Sequence, residues 1–551
     1  MINKKKKNLS ALNPLFSHKL LIGCVLFSIF VTPDNLSLAS AVDTSKNTDL
    51  MMTTVPQNKL DISYKKYGIN GYRVSLVNTN QKTNLHDVHI QLSNTSDFFI
   101  IPNNNIRSAC ALEKKGKGNY IIPKLSNECD FIVKAINLHQ ANQKTGNLII
   151  KTPDHKYLFS LANNTYLAVG SGFQNTNQIT IPAISRVAGN GASFSPLQIT
   201  NTFNNSTGII NDIGLYTKAN HKTSLIAVTN QGEIFSWDGG RSWKTLKSFG
   251  QDVSLNSVIS YTYKGKSYLI VGGELNNQAI ISQFDGKNWS QLYKLNAETV
   301  HQLLLIHHHG VKYILAGMSC GGSASDCIAQ ASLPLQATTL WQALMKSNSQ
   351  QIASGDVNAI IQYPQNKNAS FKGLIAAGSF NSTNNKITSL YDYQNNQWQN
   401  KDGSTNIPGI TAIAQYDHNY NQDNEDYIIF PYYEGTGIML QQGDINSVSW
   451  QPLNITNPIA CRNCSGTSVS DMLSYYNGET PYLIFMYNEY DEYTNSNRAW
   501  IYYIDLNPTQ SSFTFYPITI DASNFIINGE TLAFYPTMTM VLAPEKQNQS
   551  P

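Results

Sequence analysis

The stretch FSWDGGRSW, residues 235–243, places two tryptophans around an Asp-Gly-Gly turn. Asp offers a side-chain acceptor, Gly tolerates φ > 0, and the aromatics suit the flanking strands. The segment therefore reads as a hairpin. Comparable strand-closing aromatics stand at Phe194, Trp243, Trp289, Trp341, Trp398, Trp450 and Phe515. All but Trp398 carry an apolar residue three positions on: Leu197, Leu246, Leu292, Leu344, Leu453 and Ile518. A spacing of about 50 residues lies in the range of propeller blades.

A second landmark precedes each aromatic. It is a short apolar run: YLAVG from Tyr166, SLIAV from Ser224, YLIVGG from Tyr268, YILAG from Tyr313, GLIAAG from Gly373, YIIF from Tyr427 and YLIF from Tyr482. Most follow another apolar segment and a polar turn, as in NSVISYTYKGKSYLIVGG at residues 256–273. Each unit reads as four strands, A to D, and its continuous apolar runs suit strands buried on both faces. One such sheet cannot bury both faces alone, and radial stacking does so. The expected fold is all-β: a small N-terminal β-sandwich followed by a β-propeller of seven four-stranded blades, six being the alternative count. The first unit, residues 165–200, lacks an A strand. The apolar segment at 525–543 is expected to supply it and so close the ring by pairing the two ends.

The repeat resembles those of bacterial exported β-propellers that read LYVGGxF…IAxWDGxxWSxL, with kelch-like character. The closest copies are YLIVGGELNNQAIISQFDGKNW (268–289) and GLIAAGSFNSTNNKITSLYDYQNNQW (373–398). FSWDGGRSW also matches the Asp-box, S/T-x-D-x-G-x-S/T-W, at Ser236, Asp238, Gly240, Ser242 and Trp243. The resemblance covers residues 165–545. It implies a propeller and leaves activity open, because such repeats occur in lectins, sialidases, adhesins and scaffolds. Within the hairpin, Asp238 and Ser236 are expected to satisfy turn amides and Trp243 to pack between sheets.

Residues 58–163 lack these landmarks and alternate as strands: GYRVSLVNT (from Gly71), DVHIQLS (Asp87), ECDFIVKAI (Glu128), GNLIIKT (Gly146) and KYLFSLA (Lys156). This part resembles an immunoglobulin-like sandwich of bacterial surface proteins, stapled by Cys110 and Cys129, and a spacer or presentation role is expected.

The chain opens with MINKKKK, an apolar core LLIGCVLFSIFV (20–31) and SLASA. These read as a signal peptide, residues 1–41, cleaved after Ala41. The core is short against the roughly 20 residues of a membrane span. A lipoprotein box at LIGC and an uncleaved anchor are the rival readings. Residues 42–57 read as a linker and 546–551 as a tail. The protein is expected to be exported, to the periplasm, cell surface or medium, as a monomer without a membrane span after cleavage. With Cys24 removed, six cysteines form three near pairs: Cys110 and Cys129, Cys320 and Cys327, Cys461 and Cys464. An even count in an exported chain argues for disulfides, local pairing being simplest, and the spacing is not that of a zinc site.

The net charge is +3, and Lys4 to Lys7 supply four of the positive charges. A nucleic-acid partner is not implied.

In a propeller the B–C and D–A connections share one face. FPYYEGTG (430–437) and MYNEYDEYTNSNRAW (486–500) read as B–C loops of neighbouring blades. They bring Tyr432, Tyr433, Glu434, Tyr487, Glu489, Tyr490, Asp491 and Tyr493 to that face. Tyrosine rings suit the C–H surfaces of sugars, and carboxylates accept hydroxyl protons. The same set would suit a basic peptide, or a calcium ion on Glu489, Asp491 and Glu492. No other cofactor is implied. CGGSASDC (320–327) reads as another B–C loop, CRNC (461–464) as a D–A connection, and HHH (307–309) as an A–B turn.

Arginines are too scarce for a sialidase cluster, and no serine-elbow or zinc-helix motif is present. Binding of a glycan or an envelope or extracellular protein is the leading reading. The alternatives are a carbohydrate-active hydrolase using Glu434, Glu489 or Asp491, and a structural envelope scaffold.

Overall fold

The computed structural model describes residues 60–545, apart from 67–70, 80–83, 103–109, 136–143, 175–179, 189–197, 203–207, 239–242, 291, 309–310, 321–324, 337, 347–354, 364–372, 381–387, 393–396, 402–411, 418–425, 435–436, 445–450, 461–466, 478–479, 492–495, 508–509, 519–525, 528–529 and 532. The signal segment, the linker, the tail, Cys461, Cys464, Glu492 and Tyr493 lie outside the described residues. Among the described residues the protein is all-β, without a helix.

The N-terminal strands are β1 (Leu60–Lys66), β2 (Gly71–Asn78), β3 (Leu85–Leu92), β4 (Phe98–Pro102), β5 (Glu113–Gly116), β6 (Asn119–Leu125), β7 (Glu128–Ala135), β8 (Lys144–Lys151) and β9 (Lys156–Gln174). They form one sheet in the order β1-β2-β7-β4 and a second through β9-β8-β3-β6-β5. Val74, Leu76, Phe131 and Val133 of the first sheet share a core with Val88, Ile90, Leu148 and Ile150 of the second. The alternation legible in the sequence is what turns these side chains to one face. Cys110 and Cys129 form a disulfide within this core.

A single strand crosses the boundary expected near residue 164. β9 runs for 19 residues, pairing first with β8 and then, from Asn164, with later strands. KYLFSLANNTYLAVGSGFQ contains no proline, and its Asn-Asn and Gly-Ser-Gly steps stay paired in the ladder, so one strand belongs to both parts.

The remaining strands form antiparallel meanders. β10 (Thr180–Ala188) and β11 (Gln198–Thr202) extend the sheet of β9. The next four sheets are β12 (Ile210–Thr217), β13 (Thr223–Thr229), β14 (Glu233–Trp237), β15 (Lys244–Ser248); β16 (Val253–Tyr263), β17 (Lys266–Leu275), β18 (Ala279–Phe284), β19 (Tyr293–Lys294); β20 (Val300–His308), β21 (Val311–Met318), β22 (Asp326–Ser332), β23 (Gln342–Lys346); and β24 (Gly355–Tyr363), β25 (Gly373–Phe380), β26 (Thr388–Asp392), β27 (Gln397–Lys401). Then come β28 (Ala414–Asp417), β29 (Asp426–Glu434), β30 (Gly437–Asp444) and β31 (Gln451–Pro452). β32 (Ile455–Asn457) is followed by β33 (Ile459–Ala460), which joins β30. The final strands are β34 (Thr467–Asn477), β35 (Thr480–Asp491), β36 (Ser496–Asp505), β37 (Phe513–Thr514), β38 (Tyr516–Ile518), β39 (Ile526–Ile527), β40 (Glu530–Thr531) and β41 (Ala533–Glu545). β34, β35, β36 and β38 form one sheet, and β37 pairs in parallel with β32. β41 pairs antiparallel with β9, from Ala533 opposite Gln174 to Glu545 opposite Asn164. The C-terminal apolar segment thus joins the sheet of the first unit, as expected from its missing strand.

Calling the strands of each meander A to D, the A–B and C–D turns lie at one end and the B–C and D–A connections at the other. Consecutive sheets share cores: Ile226 and Val228 with Val258 and Leu269, and Ile270 and Ile281 with Leu303 and Ile314. Leu315 and Ile328 likewise meet Val357 and Ile360, and Leu440 meets Val469 and Leu483. Gly317, the glycine of YILAG, permits one such close approach. A Cβ there would stand 2.9 Å from Ile360 Cδ1 and 3.0 Å from the Val357 carbonyl oxygen.

The opening hairpin joins β14 to β15. Trp237 and Trp243 stack at 6.1 Å between ring centroids. Trp243 and Trp341 stand immediately before the outermost strands β15 and β23, so these aromatics open a strand rather than close one. The Asp238 carboxylate accepts a hydrogen bond from Lys222 Nζ at 2.6 Å, a salt bridge to the A–B turn, and the turn amides expected to face it at 239–242 lie outside the described residues. Both partners are charged, which makes this a strong hydrogen bond. A carboxylate in the turn role is seen at Asp285, whose Oδ1 accepts from the backbone N–H of Lys287 and Asn288 at 2.9 and 2.7 Å.

Candidate functional site

The inner strands share an irregularity. Register shifts fall between Ile210 and Asp212, Leu255 and Ser257, Val300 and Gln302, Val357 and Ala359, and Val469 and Asp471. Each marks a β-bulge at the B–C/D–A end of its sheet. The skipped residues are Asn211, Asn256, His301, Asn358 and Ser470, in the repeated contexts INDI, LNSV, VHQL, VNAI and VSDM.

Two sets of hydrogen bonds use these bulges to join one sheet to the next. Asn211 Nδ2 donates to the Leu255 carbonyl and to Asn256 Oδ1, both at 3.0 Å. Asn256 Nδ2 donates to the Val300 carbonyl and to Thr299 Oγ1, also at 3.0 Å. One residue on, Asp212 Oδ2 accepts from the Val258 N–H at 2.7 Å, Ser257 Oγ from Leu303 at 3.1 Å, and Gln302 Oε1 from Ile360 at 2.5 Å.

His301 interrupts the first set. Its Nε2 is shielded from solvent, has no hydrogen-bond partner among the described residues, and stands 3.9 Å from Asp356 Oδ1. That separation exceeds a direct hydrogen bond. The two side chains are 28% and 42% exposed, so the gap lies at the surface end of the sheets. Ser319 adjoins it: the residue bridges Asp356 through the backbone, and its Oγ donates to Glu298 Oε2 at 3.5 Å. His301 holds the Asp356 carboxyl below the usual carboxylate range, against its burial and with help from Ser319, so Asp356 is an anion near neutrality. The buried Cys320–Cys327 disulfide closes the connection beside Ser319.

The wider charge pattern singles out the same end. Among the described residues, the strand ends and connections at 209–212, 230–233, 249–252, 274–279, 295–299, 319–320, 325–326 and 355–356 carry seven carboxylates and no lysine or arginine. Such an end favours neutral or cationic groups.

The residues expected to bind ligand are placed differently from expectation. Tyr432, Tyr433 and Glu434 belong to β29, and Glu434 is paired with Gly437 of β30. Tyr487, Glu489, Tyr490 and Asp491 belong to β35, with Glu489 opposite Arg498 and Asp491 opposite Ser496. The two supposed long loops are thus mostly hairpin strands: runs rich in Tyr and Phe continue a ladder, and Pro431 is carried within it opposite Leu440. Tyr487 is a correction. It is 1% exposed, lies in the core shared with Leu440 and Leu483, and stacks on Trp500 at 5.4 Å, so it offers no ring to a ligand. His301, Asp356, Ser319 and Glu298 were not singled out as a site from the sequence. The one available signal was His in a position where three other repeats carry Asn.

No family model matches the chain, and no curated protein matches it. Among solved structures it is similar to SapL1 lectin in complex with alpha methyl fucoside, at 13% identity and a TM-score of 0.31, covering 56% of this chain and 97% of that one. It is also similar to the Penicillium chrysogenum alpha-L-arabinanase complexed with arabinobiose, at 11% identity and a TM-score of 0.30, covering 62% and 98%. At these values neither likeness bears on the chemistry of this site.

Proposed function

We propose that this protein is an exported recognition module. In this reading an immunoglobulin-like sandwich (58–163) follows the signal peptide and linker and presents a seven-bladed propeller (165–545). The acidic B–C/D–A end of that propeller binds a glycan of neutral or amino-bearing sugars. The observation that carries the reading is the 3.9 Å gap between His301 and Asp356, at a position where Asn211 and Asn256 bridge directly to the next sheet. A sugar hydroxyl suits the chemistry of that site, donating to the part-exposed Asp356 carboxylate, with Ser319 and Glu298 as further polar partners. Tyr432, Tyr433, Glu434, Glu489, Tyr490, Asp491 and Tyr493 are proposed as a second contact region at the same end of the later sheets. The surplus of carboxylates disfavours sialic acids and uronates.

A glycan array probed with the full chain tests this, alongside His301→Ala and Asp356→Asn. Retained binding by both folded variants would exclude the gap as the site. Release of reducing ends from a bound glycan would instead favour the hydrolase reading.

A further inference from the structure

The opposite end of the same sheets has the opposite charge. Among the described residues, the A–B and C–D turns at 218–222, 238–243, 263–266, 285–292, 307–312 and 333–341 carry six lysines against two carboxylates, Asp238 and Asp285. Both carboxylates are already engaged, Asp238 by Lys222 and Asp285 by its own turn amides. Lys264 and Lys266 flank the exposed tip of the β16–β17 hairpin, and Lys287 sits on the exposed β18–β19 turn. Lys312 donates from the next sheet to the Thr262 carbonyl at 2.6 Å, which brings the tips of adjacent sheets together.

Apolar side chains share this end. Leu340, in the connection from β22 to β23, is 88% exposed, and Val311 beside the β20–β21 turn is 39% exposed. An exposed leucine has no role in the packing of its own sheet. Lysines at hairpin tips beside exposed apolar side chains match the two requirements of a lipid interface: ammonium groups for phosphates and an apolar anchor for the acyl boundary.

We propose that the A–B/C–D end of β12–β23 docks on an anionic phospholipid surface, with the lysine tips on the headgroups and Leu340 entering the interface. The acidic end, with His301 and Asp356, then points away from the membrane. A soluble polyanion would account for the lysines but not for Leu340.

The test is co-sedimentation of the full chain with vesicles of phosphatidylcholine alone and of phosphatidylcholine with phosphatidylglycerol. Binding only to the anionic vesicles is expected, weakening as salt screens the lysines. Lys264→Glu/Lys266→Glu/Lys287→Glu should lower the bound fraction at least fivefold, and Leu340→Asp should lower it at low salt too. These side chains are exposed, and an unchanged thermal midpoint confirms that each variant is folded. Equal binding to both vesicle types overturns the proposal. So does binding to an acidic polysaccharide without binding to vesicles, or indifference to both variants.

Discussion

At the scale of single residues, Tyr487 and Lys134 show how burial changes what a polar side chain does. Tyr487 is packed against Trp500, and Tyr487→Ala should cost about 3–5 kcal/mol, as for other large aromatics removed from a core. Urea denaturation would measure it, and a loss below about 1 kcal/mol would mean that the ring is not packed as described. The same variant is unsuitable as a binding knockout, since lost binding would report unfolding.

Lys134 is buried on β7 and donates to Thr223 Oγ1 at 3.0 Å, and burial lowers its pKa to about 8. Its ordinary value is 10.5, so above pH 8 the unfolded chain holds more protons than the native one. Stability contributed by this group therefore rises from about pH 8 to about pH 10.5, and its full penalty, at most about 3 kcal/mol, applies below that window. His221 faces the same ammonium and is lowered by burial and then by Lys134, while Asp130, four residues earlier on β7, is engaged by Arg73 at 2.5 Å. Lys134→Met should stabilise the protein by about 1–3 kcal/mol at pH 7 and flatten that rise. Denaturation midpoints at pH 7 and pH 10 would show it, and an unchanged slope would sink the assignment.

At the scale of elements, the bulged inner strands are joined by side chains rather than by a continuous ladder. Asn256 accepts from Asn211 and donates to Val300 and Thr299, so Asn256→Ala strands partners on two neighbouring sheets. A cost of about 1–3 kcal/mol is expected by thermal or urea unfolding. His301→Asn should restore the missing bridge, leaving stability equal or higher. The Cys320–Cys327 disulfide closes a short connection between β21 and β22. Replacing both cysteines by alanine should remove about 2 kcal/mol and expose residues 321–325 to proteolysis. Resistance equal to wild type would show that other contacts hold that segment.

At the scale of the whole molecule, β41 ties the end of the chain to β9, and β9 is also an edge of the N-terminal two-sheet part. Removing residues 533–551 leaves β9 without one partner and β12 and β34 without a neighbour. The truncated chain should lose cooperative unfolding, seen as a broadened thermal transition with dye binding to exposed apolar surface. A sharp transition at the full-length midpoint would mean that the remaining sheets fold without this closure.

The four-stranded units, the need for a C-terminal partner and two disulfide pairs were readable in the chain, because each depends on neighbours close in sequence or on a repeated pattern. Turn chemistry, period and apolar runs act over a few residues. The extent of the Tyr-rich hairpins was misjudged for a related reason: charged and aromatic residues mixed together look like a loop until a partner strand is supplied. What only the tertiary structure decided depends on contacts between sheets. The gap between His301 and Asp356, the pairing of Lys134 with Thr223 and the burial of Tyr487 join residues on separate strands. The charge division between the two ends is written in the sequence but has no meaning there. It appears only when antiparallel meanders gather alternate turns at one end and the remaining connections at the other.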